Sequence, residues 1–203
     1  MTGAPPIVVG ITGASGAPYA VRLLQQLTAA HRSVSLIVSR YGMRLLETES
    51  GISSIDALRS AVGKDGWDSC VELFANDDRG ARPASGSALT SGMIVCPCSM
   101  GTLSAIAAGA SRSLIERAAD VTLKERRKLI LVPRETPFSA IHLGNMLRLT
   151  RAGAVIMPAA PGFYHQPKQI SDLVDFVVAR ILDQVGVEQT LVKRWAGESG
   201  NAG

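Results

Sequence analysis

Short unbroken apolar runs alternate along this chain with segments in which apolar residues recur every three or four positions. The unbroken runs predict β-strands over residues 6–12, 34–39, 70–75, 92–98, 128–134 and 154–159. The periodic segments predict helices over residues 17–30, 40–49, 53–63, 99–110, 113–127, 137–153 and 171–186. Because strands buried on both faces lack the alternation of half-exposed strands, the pattern predicts an α/β fold with one doubly wound parallel sheet covered by helices.

The composition fits one domain and narrows the classes of partner. The chain has 203 residues, 46% of them hydrophobic, and its 21 Lys and Arg residues are spread among 17 acidic residues, giving a net charge of +4. There is no basic stripe interleaved with aromatic residues, so we expect no nucleic-acid partner, whereas a mildly positive protein suits an anionic small substrate. We expect a single domain over residues 1–195 and a disordered tail over residues 196–203.

Targeting and redox features favour a cytoplasmic protein without a metal centre. The N-terminus lacks the charged and apolar regions of a signal peptide, and no apolar run is long enough to span a bilayer. Cys70, Cys96 and Cys98 do not make a disulfide framework, and the three histidines have no metal-ligand spacing.

Turns built from small residues follow the predicted strands that matter most for a ligand. In a doubly wound sheet, ligands bind at the carboxyl ends of the strands. The turn over residues 13–17 reads GASGA, and a second turn over residues 96–102 reads CPCSMGT. Each leads directly into a helix, whose first N–H groups and partial positive charge attract anions. We therefore predict that the unpaired N–H groups after residue 13 bind a phosphate.

Other motifs in the same regions are incomplete. A nucleophile elbow would need Gly at position 17, where the chain has Ala17, and the dinucleotide fingerprint G-x-G-x-x-G is absent. Tyr164 and Lys168 have the spacing of the Y-x-x-x-K pair of short-chain dehydrogenases. Pro167 lies between them in a Pro- and Gly-rich loop, which disfavours the helix that this pair requires.

Several sequence segments, taken together, indicate a particular protein family. They are the two turns above and the segments PASGS (83–87), LIERAADVTLKERRKLILVPRETPFS (114–139) and PAAPGFYHQP (158–167). In this combination the chain resembles the flavin prenyltransferases of the UbiX type, from about residue 7 to about residue 195. The resemblance implies a Rossmann-like (flavodoxin-like) fold, a homo-dodecamer and metal-independent transfer of a dimethylallyl group from dimethylallyl phosphate to N5 and C6 of reduced FMN. The product, prenylated FMN, would serve a separate UbiD-type decarboxylase in ubiquinone or aromatic-acid metabolism.

The resemblance also implies a set of site residues. The flavin contacts of the family match Gly13, Ala14, Ser15, Ser39, Ser99, Met100, Gly101, Thr102 and Arg134. Its contacts to the prenyl donor match Arg117, Lys124, Tyr164, Arg180 and Trp195. Its catalytic positions match Ser15, Glu49, Glu135 and Tyr164.

Each residue type suits the chemistry that the resemblance implies. The cationic side chains and the Tyr164 hydroxyl would bind the phosphate leaving group without a metal. Glu135 would protonate the departing phosphate, and the aromatic face of Trp195 would stabilise the allyl cation. Either Glu49 or the released phosphate would accept the proton from C6.

One departure from the family and two alternative functions stay open at this point. The family commonly has Trp in an NDW string where this chain has Asp78, so the preferred prenyl donor is undetermined. A flavin-dependent cysteine decarboxylase of related fold is the alternative enzyme, but its P-x-M-N motif is replaced here by PRETPFSAIHLGNM. The third hypothesis is a non-catalytic flavin carrier that delivers cofactor to a decarboxylase.

Overall fold

Six parallel strands form one sheet in the computed structural model, which describes residues 4–192. The strands are β1 (Ile7–Ile11), β2 (Val34–Val38), β3 (Val71–Phe74), β4 (Gly92–Cys98), β5 (Leu129–Pro133) and β6 (Val155–Ile156). The helices over the described residues are α1 (Ala17–Ala29), α2 (Arg40–Ser50), α3 (Ile55–Val62), α4 (Lys64–Cys70), α5 (Met100–Ala107), α6 (Leu114–Lys124), α7 (Ala140–Arg151) and α8 (Ile170–Gln184). A 3₁₀ turn covers Arg82–Ala84.

The strand order places a ligand crevice between β1 and β4. The order is β3-β2-β1-β4-β5-β6, and every neighbouring pair is parallel. This is the Rossmann order, and the predicted doubly wound parallel sheet is confirmed. The chain leaves β1 toward one edge of the sheet and returns to β4 to build the other edge. The loops after β1 and β4 therefore diverge at their carboxyl ends and leave room for a ligand.

Side chains on the two faces of the sheet build two separate cores. Ile7, Val9 and Ile11 of β1 belong to the core that also contains residues of α1, α2, α3, α4 and α8. Val8, between them, points to the other core, which contains residues of α5, α6 and α7. Successive strand residues point to opposite faces, so a wholly apolar strand such as β1 serves both cores at once.

Two elements differ from the predicted pattern. Helix α4 was not predicted, because Gly66 and the flanking Asp residues have low helix propensity. Its one large apolar residue, Trp67, is only 7% exposed and packs into the core, so tertiary packing stabilises this helix. The last predicted strand, 154–159, is reduced to the two residues of β6, an edge strand that ends before Pro158.

No helix among residues 4–192 is both long enough and apolar enough to cross a membrane.

Candidate active site

A threonine hydroxyl joins the two diverging loops at the carboxyl edge of the sheet. Thr12 is 2% exposed, and its Oγ1 donates to the Pro97 carbonyl at 2.9 Å. The same oxygen accepts from the Ser99 N–H at 2.8 Å. Thr12 was not among the predicted site residues, although a polar residue directly after a buried strand, at its carboxyl end, indicates such a position. The hydroxyl fixes the loop after β1 against the loop after β4, on either side of the crevice.

The N-terminus of α1 is occupied by a side chain from α2. The Glu49 carboxylate oxygen Oε2 accepts from the N–H groups of Gly16 and Ala17, both at 2.8 Å. The prediction that free N–H groups here bind a phosphate is therefore wrong for these two donors. The carboxylate supplies the negative charge that a helix N-terminus favours.

Glu49 is held in its charged form by its surroundings. Partial burial by itself would raise the pKa of this carboxyl group. Hydrogen bonds from the Gly16 N–H, the Ser15 side chain and the Ala17 N–H, together with the positive charge of Arg134, outweigh burial and lower the pKa below its ordinary value. Glu49 thus feels both the N–H groups of the turn after β1 and the positive charge of Arg134, which directly follows β5.

Packing by the protein itself explains the glycines of the turn after β1. A Cβ on Gly13 would lie 2.4 Å from the Cβ of Tyr41. Gly16 has φ +125°, a conformation that L-residues rarely adopt, and a Cβ there would lie 2.9 Å from the Tyr19 ring. Close approach of a ligand is therefore not needed to explain either glycine.

Helices α2 and α5 present the more open N-termini. Ser39 caps α2 by accepting from the Gly42 N–H at 3.0 Å. Ser99 caps α5 by accepting from the Thr102 N–H at 3.2 Å, and it also contacts the Thr102 hydroxyl at 3.1 Å. The Met100 N–H lies in the first turn of α5 and has no intrahelical acceptor.

These donors fit the phosphate and ribityl oxygens of a flavin nucleotide. A Cβ built on Gly101 would lie no closer than 4.0 Å to its nearest neighbour, the Ser99 hydroxyl, so the backbone is accessible there. Hydroxyls and backbone N–H groups at a helix N-terminus are typical ligands of such oxygens.

The residues after β5 face the same edge. Arg134 is exposed, and Glu135, which is half-buried, accepts from the Thr136 N–H through Oε1 at 3.0 Å. The structure therefore gathers the flavin residues predicted after β1, β2, β4 and β5 at one end of the sheet, with Glu49 and Glu135 beside them.

Among residues 4–192, the side chains predicted to bind the prenyl donor lie on both faces of the sheet. Arg117 and Lys124 lie on α6, whereas Arg180 lies on α8, on the opposite face of the sheet. Each of the three pairs with an acid close to it in sequence, at N–O distances of 3.0–3.2 Å. Tyr164, in the loop before α8, is 69% exposed. Trp195 lies outside the described residues.

Known proteins similar to this chain identify the class of protein to which the site belongs. A model described as Flavoprotein matches residues 1–182. The match agrees with the doubly wound sheet and with the donors at its carboxyl edge, and together they define a flavoprotein.

Closer relatives narrow the class further. The flavin prenyltransferase UbiX of Pseudomonas aeruginosa is 50% identical over 201 residues, which is 96% of each chain. A crystal structure of AnUbiX (PadA1) in complex with FMN and dimethylallyl pyrophosphate is 40% identical with a TM-score of 0.89, covering 96% of this chain and 99% of that one. A dodecameric FMN-dependent UbiX-like decarboxylase from Escherichia coli O157:H7 is 44% identical with a TM-score of 0.87, covering 95% of this chain and 100% of that one. The chain belongs to the UbiX flavin prenyltransferases, and the resemblance found in the sequence is confirmed.

Proposed function

We propose that this protein transfers a dimethylallyl group from dimethylallyl phosphate to N5 and C6 of reduced FMN. The observation that carries the proposal is the 50% identity to a flavin prenyltransferase over nearly the whole chain. When bound, reduced FMN supplies N5 and C6 as the nucleophilic atoms. The Met100 and Gly101 N–H groups, which lie in the first turn of α5, and the hydroxyls of Ser39, Ser99 and Thr102 support binding of the flavin phosphate and ribityl chain.

Glu135, Glu49 and the released phosphate have different roles in the proton transfers of the proposed reaction. When the allylic C–O bond breaks, its electron pair goes to the phosphate oxygen, and Glu135 relays to that oxygen the proton that N5 releases on bonding to the allyl carbon, so that Glu135 ends as it began. The lowered pKa of Glu49 makes its carboxylate a weak base. We therefore assign both proton movements of ring closure to the released phosphate, which gives a proton to the allylic double bond and accepts the C6 proton in its place. Glu49 instead orients Ser15 and the turn after β1.

The prenyl-donor site is completed by a second copy of the chain. Lys124 and Arg180 lie on opposite faces of the sheet, yet both are assigned to one phosphate. Contributions from neighbouring chains resolve this, because a cation that is remote within its own chain can face the site of the next. Within each chain both side chains are more than half exposed and make weak surface ion pairs, so little binding energy is lost when they turn to the phosphate.

An apolar surface at α7 supports this assembly. It is formed by Phe138, Ile141, Leu143 and Leu147, which are 37%, 74%, 54% and 51% exposed. Several large exposed apolar side chains within one short segment are typical of a protein interface. The dodecameric state of the Escherichia coli relative supports a homo-dodecamer here as well.

The product and the compartment follow from the same proposal. Prenylated FMN is a cofactor rather than an end product, so a UbiD-type decarboxylase is the partner that would receive it. A reduced flavin substrate suits the cytoplasm, and the three cysteines, which are free thiols, fit a reducing compartment.

Anaerobic incubation with reduced FMN and dimethylallyl phosphate, followed by mass spectrometry of the flavin, tests the reaction. We expect the flavin to gain one five-carbon unit. Lys124→Ala should weaken donor binding roughly tenfold or more, since a charged hydrogen bond is lost. The control Lys64→Ala, on the distant α4, should behave as wild type. An unchanged flavin mass would exclude the transferase and favour the carrier hypothesis.

Mixed assemblies test the shared site. At a donor concentration well below the KM, Lys124→Ala and Arg180→Ala chains should each retain about a tenth of the wild-type activity or less. Co-expressed, they should regain part of the activity, because some sites then receive both intact residues from different chains. Failure to regain activity in a verified mixed oligomer would show that both residues act from one chain.

A further inference from the structure

Three aromatic rings form a cluster at the base of the loop that carries Tyr164. The His165 ring is stacked on the Phe176 ring, with centroids 5.1 Å apart and an interplanar angle of 9°. The Tyr164 ring meets both edge-on, at 5.8 Å from His165 and 5.7 Å from Phe176. Edge-to-face contacts at these distances are favourable and directional. The Tyr164 ring is therefore held at one orientation although most of its surface is exposed.

Phe176 connects this cluster to the rigid part of the fold. It lies on α8 and packs, partly buried, against the core that contains α1 and β1. Tyr164, by contrast, lies in a loop between prolines with no regular structure of its own. Because Phe176 is fixed on the packed helix α8, its contact with the Tyr164 ring fixes the position of that ring relative to the helix.

Gly162 leaves the space that this arrangement needs. A Cβ on Gly162 would lie 2.9 Å from Cε1 of Tyr164 and 3.2 Å from Cζ of Phe176. The tyrosine ring covers the glycine backbone directly, so any side chain at position 162 would displace it.

The His165 imidazole contributes to the aromatic cluster through the face of its ring and not through its nitrogen atoms. Both of its ring nitrogens are buried and have no hydrogen-bond partner among the described residues. Leaving such groups unpaired is unfavourable, whereas stacking needs only a planar ring.

We infer that Phe176 and His165 are positioning residues that hold the Tyr164 hydroxyl toward the phosphate of the prenyl donor. This inference rests on the proposed function, in which Tyr164 binds that phosphate. Both residues act through Tyr164, and the cluster reduces the ordering that the loop must undergo when the donor binds.

Steady-state kinetics of the full-length FMN-loaded protein separate this role from a merely structural one. Tyr164→Phe, which removes only the hydroxyl, should raise the KM for dimethylallyl phosphate about tenfold. Phe176→Leu and Gly162→Ala should raise it by a similar factor, with the dissociation constant for FMN unchanged. Gly66→Ala is a matched control, because its Cβ would lie 3.1 Å from the Cβ of Thr28, far from Tyr164. It should leave the KM unchanged.

The double variants decide whether the residues act through Tyr164. In a Tyr164→Phe background, Phe176→Leu and Gly162→Ala should raise the KM little further, because the hydroxyl they orient is already gone. Fully multiplicative effects would overturn the inference. His165→Phe, which keeps a flat ring, should retain most donor affinity, whereas His165→Ala should not. Equal losses in both would show that the nitrogens matter and would contradict the stacking role.

Crystal structures of the variants supply a readout that does not depend on turnover. In Phe176→Leu the Tyr164 ring should leave its wild-type position, and an unmoved ring would refute the inference even if the protein proved not to be a transferase. Conversely, a displaced ring in a protein that forms no prenylated flavin would refute the proposed function alone.

Discussion

Replacing Glu49 by alanine removes the acceptor for both N–H groups at the start of α1. The donors belong to Gly16 and Ala17, which are buried, so water cannot fully replace the carboxylate. Each unpaired N–H costs about 1 kcal/mol, and the pair therefore about 2 kcal/mol of unfolding free energy. For a chain of this length that corresponds to a fall in Tm of about 4–8 °C. Glu49→Gln keeps an acceptor oxygen and should lose about half as much.

The pH dependence of the same variant checks the electrostatic part of this argument. Hydrogen bonds and Arg134 lower the folded-state pKa of Glu49. A carboxyl group with a lowered pKa contributes stability above its unfolded value, about 4.3, and the contribution is lost as pH falls through the folded value. The Tm difference between wild type and Glu49→Gln should therefore be full at pH 7 and shrink below about pH 4.

Thermal unfolding followed by circular dichroism from pH 3 to pH 8 measures both effects. Glu47→Gln is the control, since Glu47 is an exposed carboxylate on the same helix. It should change Tm by less than about 1 °C. A Glu49→Ala protein with wild-type Tm, or a Glu49→Gln difference that grows as pH falls, would refute the capping argument.

Three further predictions concern the rest of the molecule. Thr12→Val removes the buried hydroxyl between the loops after β1 and β4, and it should lower the unfolding free energy measured in urea by about 1–3 kcal/mol and weaken FMN binding. Wild-type stability and wild-type FMN affinity in this variant would contradict the role of the hydroxyl. Burial raises the pKa of Cys96 to about 12 and raises the pKa of Cys98 too. A thiol reagent at pH 8 should therefore label only Cys70 in the folded protein and all three thiols in urea. Rapid labelling of more than one thiol in the folded protein would contradict this prediction. Ile141→Asp should reduce the molecular mass seen by light scattering, and an intact oligomer would exclude the α7 surface as an interface.

Local sequence determined the strands, most helices and the serine caps of α2 and α5. Unbroken apolar runs specify strands that are buried on both faces, because each such residue serves a core on its own side. Ser39 and Ser99 cap the helices that begin one residue later, an interaction that depends only on residues three positions apart. These elements were predictable because the atoms that make them are neighbours along the chain.

Tertiary structure decided which of these termini is free and which site residues meet. Glu49, which is 33 residues from Gly16 in sequence, hydrogen-bonds to the start of α1. The turn after β1, which was predicted to be open to a phosphate, is therefore already bound by a carboxylate of the same chain. Lys124 and Arg180 appear in sequence as parts of one site, yet the crossover from one sheet face to the other separates them. The stack of His165 on Phe176 likewise forms only once α8 has packed on the core. The physical reason is that periodicity and caps are short-range properties of the backbone, whereas these contacts exist only after the topology has folded distant segments together.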